Sequence, residues 1–417
     1  MSSAEGVVVG LDIGTTKVCA VIGERGESGA VEITGVGTSP STGLRKGVVV
    51  NIEATLRSVR EAIENAEMMS GKEVKSCWAG IGGSHIDGLS SRGVVAVGKS
   101  RETREISRDD IERVMEAARA VLIPMDREIL AEIPQSFIVD NQKGIRNPIG
   151  MIGVRLEAEV YIITCSGTGS QNIANCVNRA GFLVNDFIFQ SLAAGRAVLM
   201  DDEKERGIAL VDLGGGTTDL LVYQGGAPLY TASLPVGGIQ VTGDIAALKQ
   251  IAFEDAERVK IDAGCCWGPY VEGEDVLVPG RGGRAPESIA REEIFRIVKP
   301  RMEEIFLLVK EKLDALFPPG QGLGAGVVLT GGGAKLSGAL EFAQDIFGVR
   351  TRIGLPLAAG GLVEEYRSPV YAAAVGLVLE GNDRETRGLF TPGDRQKAKG
   401  GKFPLARIWD WLREEIF

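Results

Sequence analysis

The chain alternates between two hydrophobic rhythms. Near the N-terminus, "GVVVGLDI" and "KVCAVIGE" are compact apolar runs that predict the two strands of a hairpin. "NIEATLRSVREAIENAEMM" (51–69) places Leu56, Val59, Ile63 and Ala66 at helical spacing. "SRDDIERVMEAARAVL" (107–122) predicts a second helix with Ser107 as its N-cap. "REEIFRIVKPRMEEIFLLVKEKLDAL" (291–316) reads as two helical stretches interrupted at Pro300, because proline has no N–H for the helix ladder. Strands alternating with helices imply α/β layers rather than a helical bundle.

One pattern occurs twice. "VVGLDIGTTKVCAVI" (8–22) and "ALVDLGGGTTDLLVY" (209–223) both read as an apolar strand, Asp-x-Gly, a Gly/Thr turn and a second apolar strand. A third strand, "AGVVLTGGGAKLSG" (325–338), ends in another glycine-rich turn before the helical stretch "SGALEFAQDIFG". Two matching halves and a third turn predict a duplicated fold with a cleft between the halves.

The turn residues suggest a chemistry. Glycines let backbone N–H groups approach an oxyanion, and threonine hydroxyls add donors. An aspartate beside an anion makes sense if Mg2+ lies between them, and Mg2+ needs only one or two carboxylates. Asp12 and Asp212 would meet one metal, with Lys17 adding positive charge for a phosphate. The plain alternative is a pair of glycine-rich hairpins with no ligand.

Composition narrows the class. The 417 residues suffice for about two to four domains. A net charge of −10 argues against nucleic acid as a partner. The six cysteines form no CxxC pair and His85 is the single histidine, which argues against zinc and for buried, reduced thiols. The adjacent Cys265 and Cys266 leave a redox pair as the alternative. No basic n-region precedes an apolar core at the N-terminus, and no long apolar run could cross a bilayer, so a cytoplasmic protein is expected.

The C-terminal end differs from the rest. Residues 381–402 are polar and glycine-rich and read as a linker. After it, Leu405, Ile408, Trp409, Leu412 and Ile416 fall on one side of a helical wheel, with Trp411 at its flank. Residues 384–417 carry eight Lys/Arg against five Asp/Glu, a net +3 that leaves −13 for the remainder. Anionic lipid would attract this tail and repel the body. A helix docked on the body is the alternative.

The three turns resemble the phosphate-1, phosphate-2 and adenosine motifs of the actin/Hsp70/sugar-kinase superfamily. Within it, the chain from about Val7 onward resembles the FtsA family of bacterial actin-like cell-division proteins. That likeness extends to "AGIGGSHIDG" (79–88), "IPQSFIVDNQKGIRNPIGMIGVRLEAEVYIIT" (133–164), "VPGRGGRAPES" (278–288) and "RIGLPLAAGGL" (352–362). The resemblance implies an α/β, duplicated actin-like (ribonuclease H-like) fold, two lobes around a nucleotide cleft, and a C-terminal amphipathic helix. It implies ATP and Mg2+ as cofactors. Gly14, Thr15, Thr16 and Lys17 match phosphate-1, and Gly214, Gly215, Gly216 and Thr217 match phosphate-2. Glu257 and Lys260 would face the ribose and adenine, and Gly331, Gly332 and Gly333 match the adenosine turn. Asp12 and Asp212 would hold Mg2+ through water. Gln190, with Asp212, would orient an attacking water, a helix-surface glutamine being the alternative.

The resemblance also implies a domain plan. Subdomain 1A would comprise 1–83, 163–197 and 360–383, with 84–162 inserted as subdomain 1C. Residues 198–227 and 300–359 would form 2A and 228–299 would form 2B. A linker (384–402) and a membrane-targeting helix (403–417) would follow. Segment 1C would contact other subunits in protofilaments and later division proteins. Subdomain 2B would bind the C-terminal tail of the tubulin-like protein FtsZ, with Arg284, Lys299 and Arg301 as contacts; a solvated basic face explains the same residues. Leu405, Ile408, Trp409, Trp411, Leu412 and Ile416 would enter the lipid at the cytoplasmic face of the cell membrane, at the division site. Any ATP hydrolysis would be slow. A small-molecule kinase of the same superfamily or a pilus-assembly actin-like scaffold are the rivals. The first lacks a distinct base, and the Trp-rich tail speaks against the second.

Overall fold

The computed structural model describes residues 6–98, 103–278, 286–318, 322–356, 360–361 and 363–387. Two five-stranded sheets carry the fold, and they share one topology. In the first, Val7–Ile13, Lys17–Arg25 and Val31–Pro40 form an antiparallel meander. Ser76–Ile81 and Leu183–Phe189 then add in parallel beyond Val7–Ile13. In the second, Ile208–Leu213, Thr218–Gln224 and Ala227–Leu234 form the meander. Gly326–Thr330 and Thr351–Ile353 add in parallel beyond Ile208–Leu213. The duplication read from the two Asp-x-Gly turns is thus a duplication of whole sheets.

Local chemistry sets the helix ends. Asn51 caps Ile52–Ser70 by accepting from the Ala54 N–H at 3.1 Å, and Gly71 ends that helix in the left-handed region at φ 68°. Ser107 precedes Arg108–Arg119, and its N–H and hydroxyl both donate to Asp110, at 2.9 and 2.8 Å.

Pro300 does not divide its helix. Arg291–Leu316 runs unbroken through it. Ile294, Val298, Met302, Ile305, Phe306, Val309 and Leu313 line one buried stripe, and this burial outweighs the loss of one ladder hydrogen bond.

Two helices lie between the sheets. Gln190–Val198 packs against Ala372–Thr386, and the surrounding core draws Val8 and Trp78 from the first half and Leu210, Leu221 and Val328 from the second. A Cβ on Gly376 would fall 1.7 Å from the Ala193 carbonyl oxygen, so only glycine allows this approach. Ala372–Thr386 also runs past residue 384, where the linker was expected to start. Its polar residues are tied to the body: the Arg25 Nε donates to Asn382 Oδ1 at 2.6 Å, the Trp78 indole to Glu385 at 3.0 Å, and Arg384 pairs with Asp186 at 3.3 Å.

Asp87–Ala96, Arg127–Val139, Gln142–Ile145 and Arg155–Ser166 form a separate four-stranded antiparallel sheet with Arg108–Arg119 on it. This sheet touches the second half. Thr231 N–H donates to the Tyr161 hydroxyl at 2.7 Å and Gln135 Nε2 to the Pro228 carbonyl at 2.8 Å. All six cysteines are free and buried. Among the described residues no helix is long and apolar enough to cross a membrane. The tail residues 403–417, most of the linker, and Arg281 and Arg284 lie outside the described residues.

Candidate functional site

The two Asp-x-Gly turns are closed by the same bond. Gly14 N–H donates to the Lys17 carbonyl at 2.9 Å, and Gly214 N–H to the Thr217 carbonyl at 3.0 Å. In each hairpin the aspartate is the last but one residue of its strand, with Asp12 opposite Cys19 and Asp212 opposite Asp219. The turns meet. A Cβ on Gly215 would lie 2.4 Å from Thr16 Cγ2, and one on Gly216 would lie 2.6 Å from Thr15 Oγ1. Glycine at 215 and 216 is what lets the halves close on each other here.

The third turn wraps Asp212. Gly331 has φ 79°, and a Cβ there would fall 2.1 Å from Asp212 Oδ1. Gly333 packs on Leu213, while Gly332 faces open space.

Three carboxylates therefore converge. Burial raises the pKa of Asp12, against the pull of Lys17 and the Gln190 hydrogen bond. Asp212 is pushed up to about 7 by burial, reinforced by Asp219 and Asp12. Burial raises Asp219 too, against the Ser233 hydroxyl on the neighbouring strand and the Thr217 hydroxyl, which donates to Oδ2 at 2.9 Å. Lys17 lies near enough to Asp12 and Asp212 to favour their charged forms, and its ammonium donates to the Val370 carbonyl at 2.9 Å over the Tyr371 ring.

Gln190 opens its helix at the end of strand Leu183–Phe189, and its Nε2 donates to Asp12 Oδ1 at 2.6 Å. It is not a helix-surface residue. Gly80 and Gly82 make its space: a Cβ on Gly82 would fall 2.0 Å from Gln190 Oε1.

At the other end, Gly238 and Ile239 N–H groups donate to the Gly214 and Gly215 carbonyls at 2.9 and 2.8 Å, seating helix Gly238–Lys249 on the second turn. Lys260 donates to Glu257 at 2.7 Å, to Thr242 Oγ1 at 3.0 Å and to the Gly238 carbonyl at 3.3 Å, and the Thr242 hydroxyl also bonds Glu257. Glu257 and Lys260, the residues expected to face a nucleoside, thus stand beside the Gly214–Thr217 turn.

The donor set fits a polyphosphate with Mg2+. Clustered, buried carboxylates with raised pKa values favour a cation beside them once they ionise. Among the described residues no group of three His, Cys, Asp or Glu could hold a metal ion by itself. An Mg2+ here would complete its shell with phosphate and water, which is its habit.

Of the basic residues, Arg301 is already engaged. Its Nε and Nη2 donate to Asp244 at 2.7 and 3.1 Å, and Glu304 pairs with it. The Lys299 ammonium lies 5.6 Å from the centre of the Phe342 ring. Sequence reading missed Asp219, Gly80, Gly82, Gly238 and Gly237, where a Cβ would fall 2.6 Å from the Gly214 carbonyl oxygen. The doubled glycines in "GIGG" and "VGGIQ" are the only local trace of the four glycines.

The duplicated sheets and the facing turns define an actin-like protein. The solved PilM-PilN type IV pilus biogenesis complex aligns with a TM-score of 0.64 at 18% identity, covering 90% of this chain and 98% of that one. MreB5 of Spiroplasma citri bound to ADP aligns at 0.53 and 16% identity, covering 95% and 99%. The model for "Cell division protein FtsA" matches residues 209–376, and that for the "SHS2 domain inserted in FTSA" matches 83–164. Cell division protein FtsA of Pseudomonas aeruginosa is 44% identical over 416 residues, 98% of this chain and 97% of that one. Its Escherichia coli namesake is 38% identical over 417 residues, 98% of each. The chain belongs to the FtsA family of cell division proteins.

Proposed function

We propose that this chain binds ATP with Mg2+ between its two halves, assembles into actin-like filaments on the cytoplasmic face of the membrane, and tethers FtsZ there by its C-terminal tail. The observation that carries this reading is the pair of identically closed turns meeting over Asp12 and Asp212. Gly14, Thr15, Thr16 and Lys17 would hold phosphate from one side, and Gly214, Gly215, Gly216 and Thr217 from the other. Glu257 and Lys260 would take the nucleoside, with the Gly331–Gly333 turn beside it. Gln190 would orient a water from the Asp12 side. Hydrolysis is slow in this reading and is not the output.

The four-subdomain plan belongs to the same proposal. The 84–162 segment would carry subunit contacts and later division proteins. The face with Arg284, Lys299 and Arg301 would take the acidic or carboxylate-ended FtsZ peptide, which at Arg301 must compete with Asp244 and Glu304. The tail supplies the membrane. Burying five large apolar side chains is worth roughly 7–15 kcal/mol gross, and ordering the backbone consumes much of that. Each anchor is weak, and a filament multiplies them.

Liposome co-sedimentation tests this. The full chain should pellet with anionic vesicles and form filaments on them with ATP-Mg2+ in electron micrographs, while a 1–402 truncation stays in the supernatant. Equal behaviour of the two would contradict a membrane role for the tail.

A further inference from the structure

Between strand Val31–Pro40 and helix Ile52–Ser70 lies a small hairpin that neither the motifs nor the site has used. Leu44–Arg45 pairs with Val48–Val49, leaving Lys46 and Gly47 as the two-residue turn. Both have positive φ, 52° and 79°. Such turns favour Asn-Gly, because most side chains resist the left-handed region. Lysine is an expensive choice there. Among the described residues, only Asp140 and Gln250 share this condition outside glycine.

The turn is pinned onto the candidate site. Gly47 N–H donates to Thr15 Oγ1 at 3.2 Å, and Ser84 N–H donates to the Lys46 carbonyl at 3.4 Å. A Cβ on Gly47 would fall 2.5 Å from Gly83 Cα, so the turn is wedged against the Gly82–Gly83 loop. That loop packs on Gln190, which holds Asp12. The hairpin tip therefore lies beside Thr15 at the Asp12–Gln190 side of the candidate site. The Gly47 contact also occupies a lone pair of Thr15 Oγ1, which leaves the hydroxyl proton for another acceptor. Lys46 is half-buried and, among the described residues, has no ion pair or hydrogen bond from its ammonium. Lys17, the other cation here, is tied to Val370.

We propose that Lys46 is a specificity residue for the terminal phosphate of the nucleotide, carried over the first turn by the Leu44–Val49 hairpin. The inference rests on the nucleotide reading above and deepens it. A cation at that end meets the phosphate that ATP has and ADP lacks. The Gly47–Thr15 and Ser84–Lys46 hydrogen bonds hold the turn in this left-handed backbone against its strain.

Calorimetric titration of ATP and ADP, each with Mg2+, into the full chain and its Lys46→Met and Lys46→Arg variants tests this. Lys46→Met should weaken ATP binding about tenfold, as expected for loss of a charge-assisted contact, and change ADP binding less than about twofold. Lys46→Arg should retain most of the ATP preference. The ligand-free melting temperature should not fall in either variant. Equal losses for ATP and ADP, or ATP affinity unchanged in Lys46→Met, would overturn the proposal. Absence of ATP binding by the unaltered chain would instead sink the nucleotide reading on which it rests.

Discussion

Asp212 is where the cost of the site is concentrated. Its carboxyl is pushed from an ordinary 3.8 up to about 7, first by burial and then by Asp219 and Asp12. A raised folded-state pKa means the folded form holds the proton more tightly than the unfolded chain. This contribution is fully present below about pH 4 and is lost as pH rises through 7. The shift corresponds to about 4 kcal/mol as an order of magnitude. Asp12 and Asp219 act in the same direction. Asp110 and Glu203, both held below the usual carboxylate range, lose their contribution only under more acid conditions. The ligand-free protein should therefore melt at a lower temperature at pH 8 than at pH 5, and Asp212→Asn should narrow that gap. A gap untouched by Asp212→Asn in thermal melts would show that the carboxylate is not the group under strain. A bound cation would reverse the cost by favouring the ionised form.

At the scale of elements, the linking helices set the tolerance of the fold. Gly376→Ala would place a methyl 1.7 Å from the Ala193 carbonyl and must push Gln190–Val198 away from Ala372–Thr386. A loss of roughly 2–3 kcal/mol is expected from such overpacking, read from the urea midpoint; an unchanged midpoint would mean the helices can slide. This crossing was invisible in the sequence, because Gly376 and Ala193 are distant along the chain. The same holds for Gly82 with Gln190 and for Gly47 with Thr15. The two turns were legible because Asp, Gly and Thr constrain each other within one hairpin. Pro300 misled for the complementary reason: local propensity predicts a break, and the buried stripe from Ile294 to Leu313 overrides it. Residues 384–386 resembled a linker because their polar partners, Asp186 and Trp78 among them, lie elsewhere in the chain.

At the scale of the whole molecule, the cleft is closed from more than one side. The turns meet through Thr15, Thr16, Gly215 and Gly216, and the four-stranded sheet reaches the second half through Tyr161 and Gln135. A ligand that alters the spacing of the turns would therefore bear on the sheet within residues 83–164, the segment matched by the inserted SHS2 domain. In the proposed function, that contact would give a nucleotide a physical route to the surface proposed for assembly, and it depends on the cleft binding nucleotide through a metal. Calorimetric titration of ATP into the full chain, with Mg2+ and then with a chelator, addresses that claim most directly. The account predicts one ATP per chain, with affinity falling at least about tenfold without Mg2+ and a comparable fall in Asp212→Asn. ATP binding that ignores both the metal and Asp212 would contradict it.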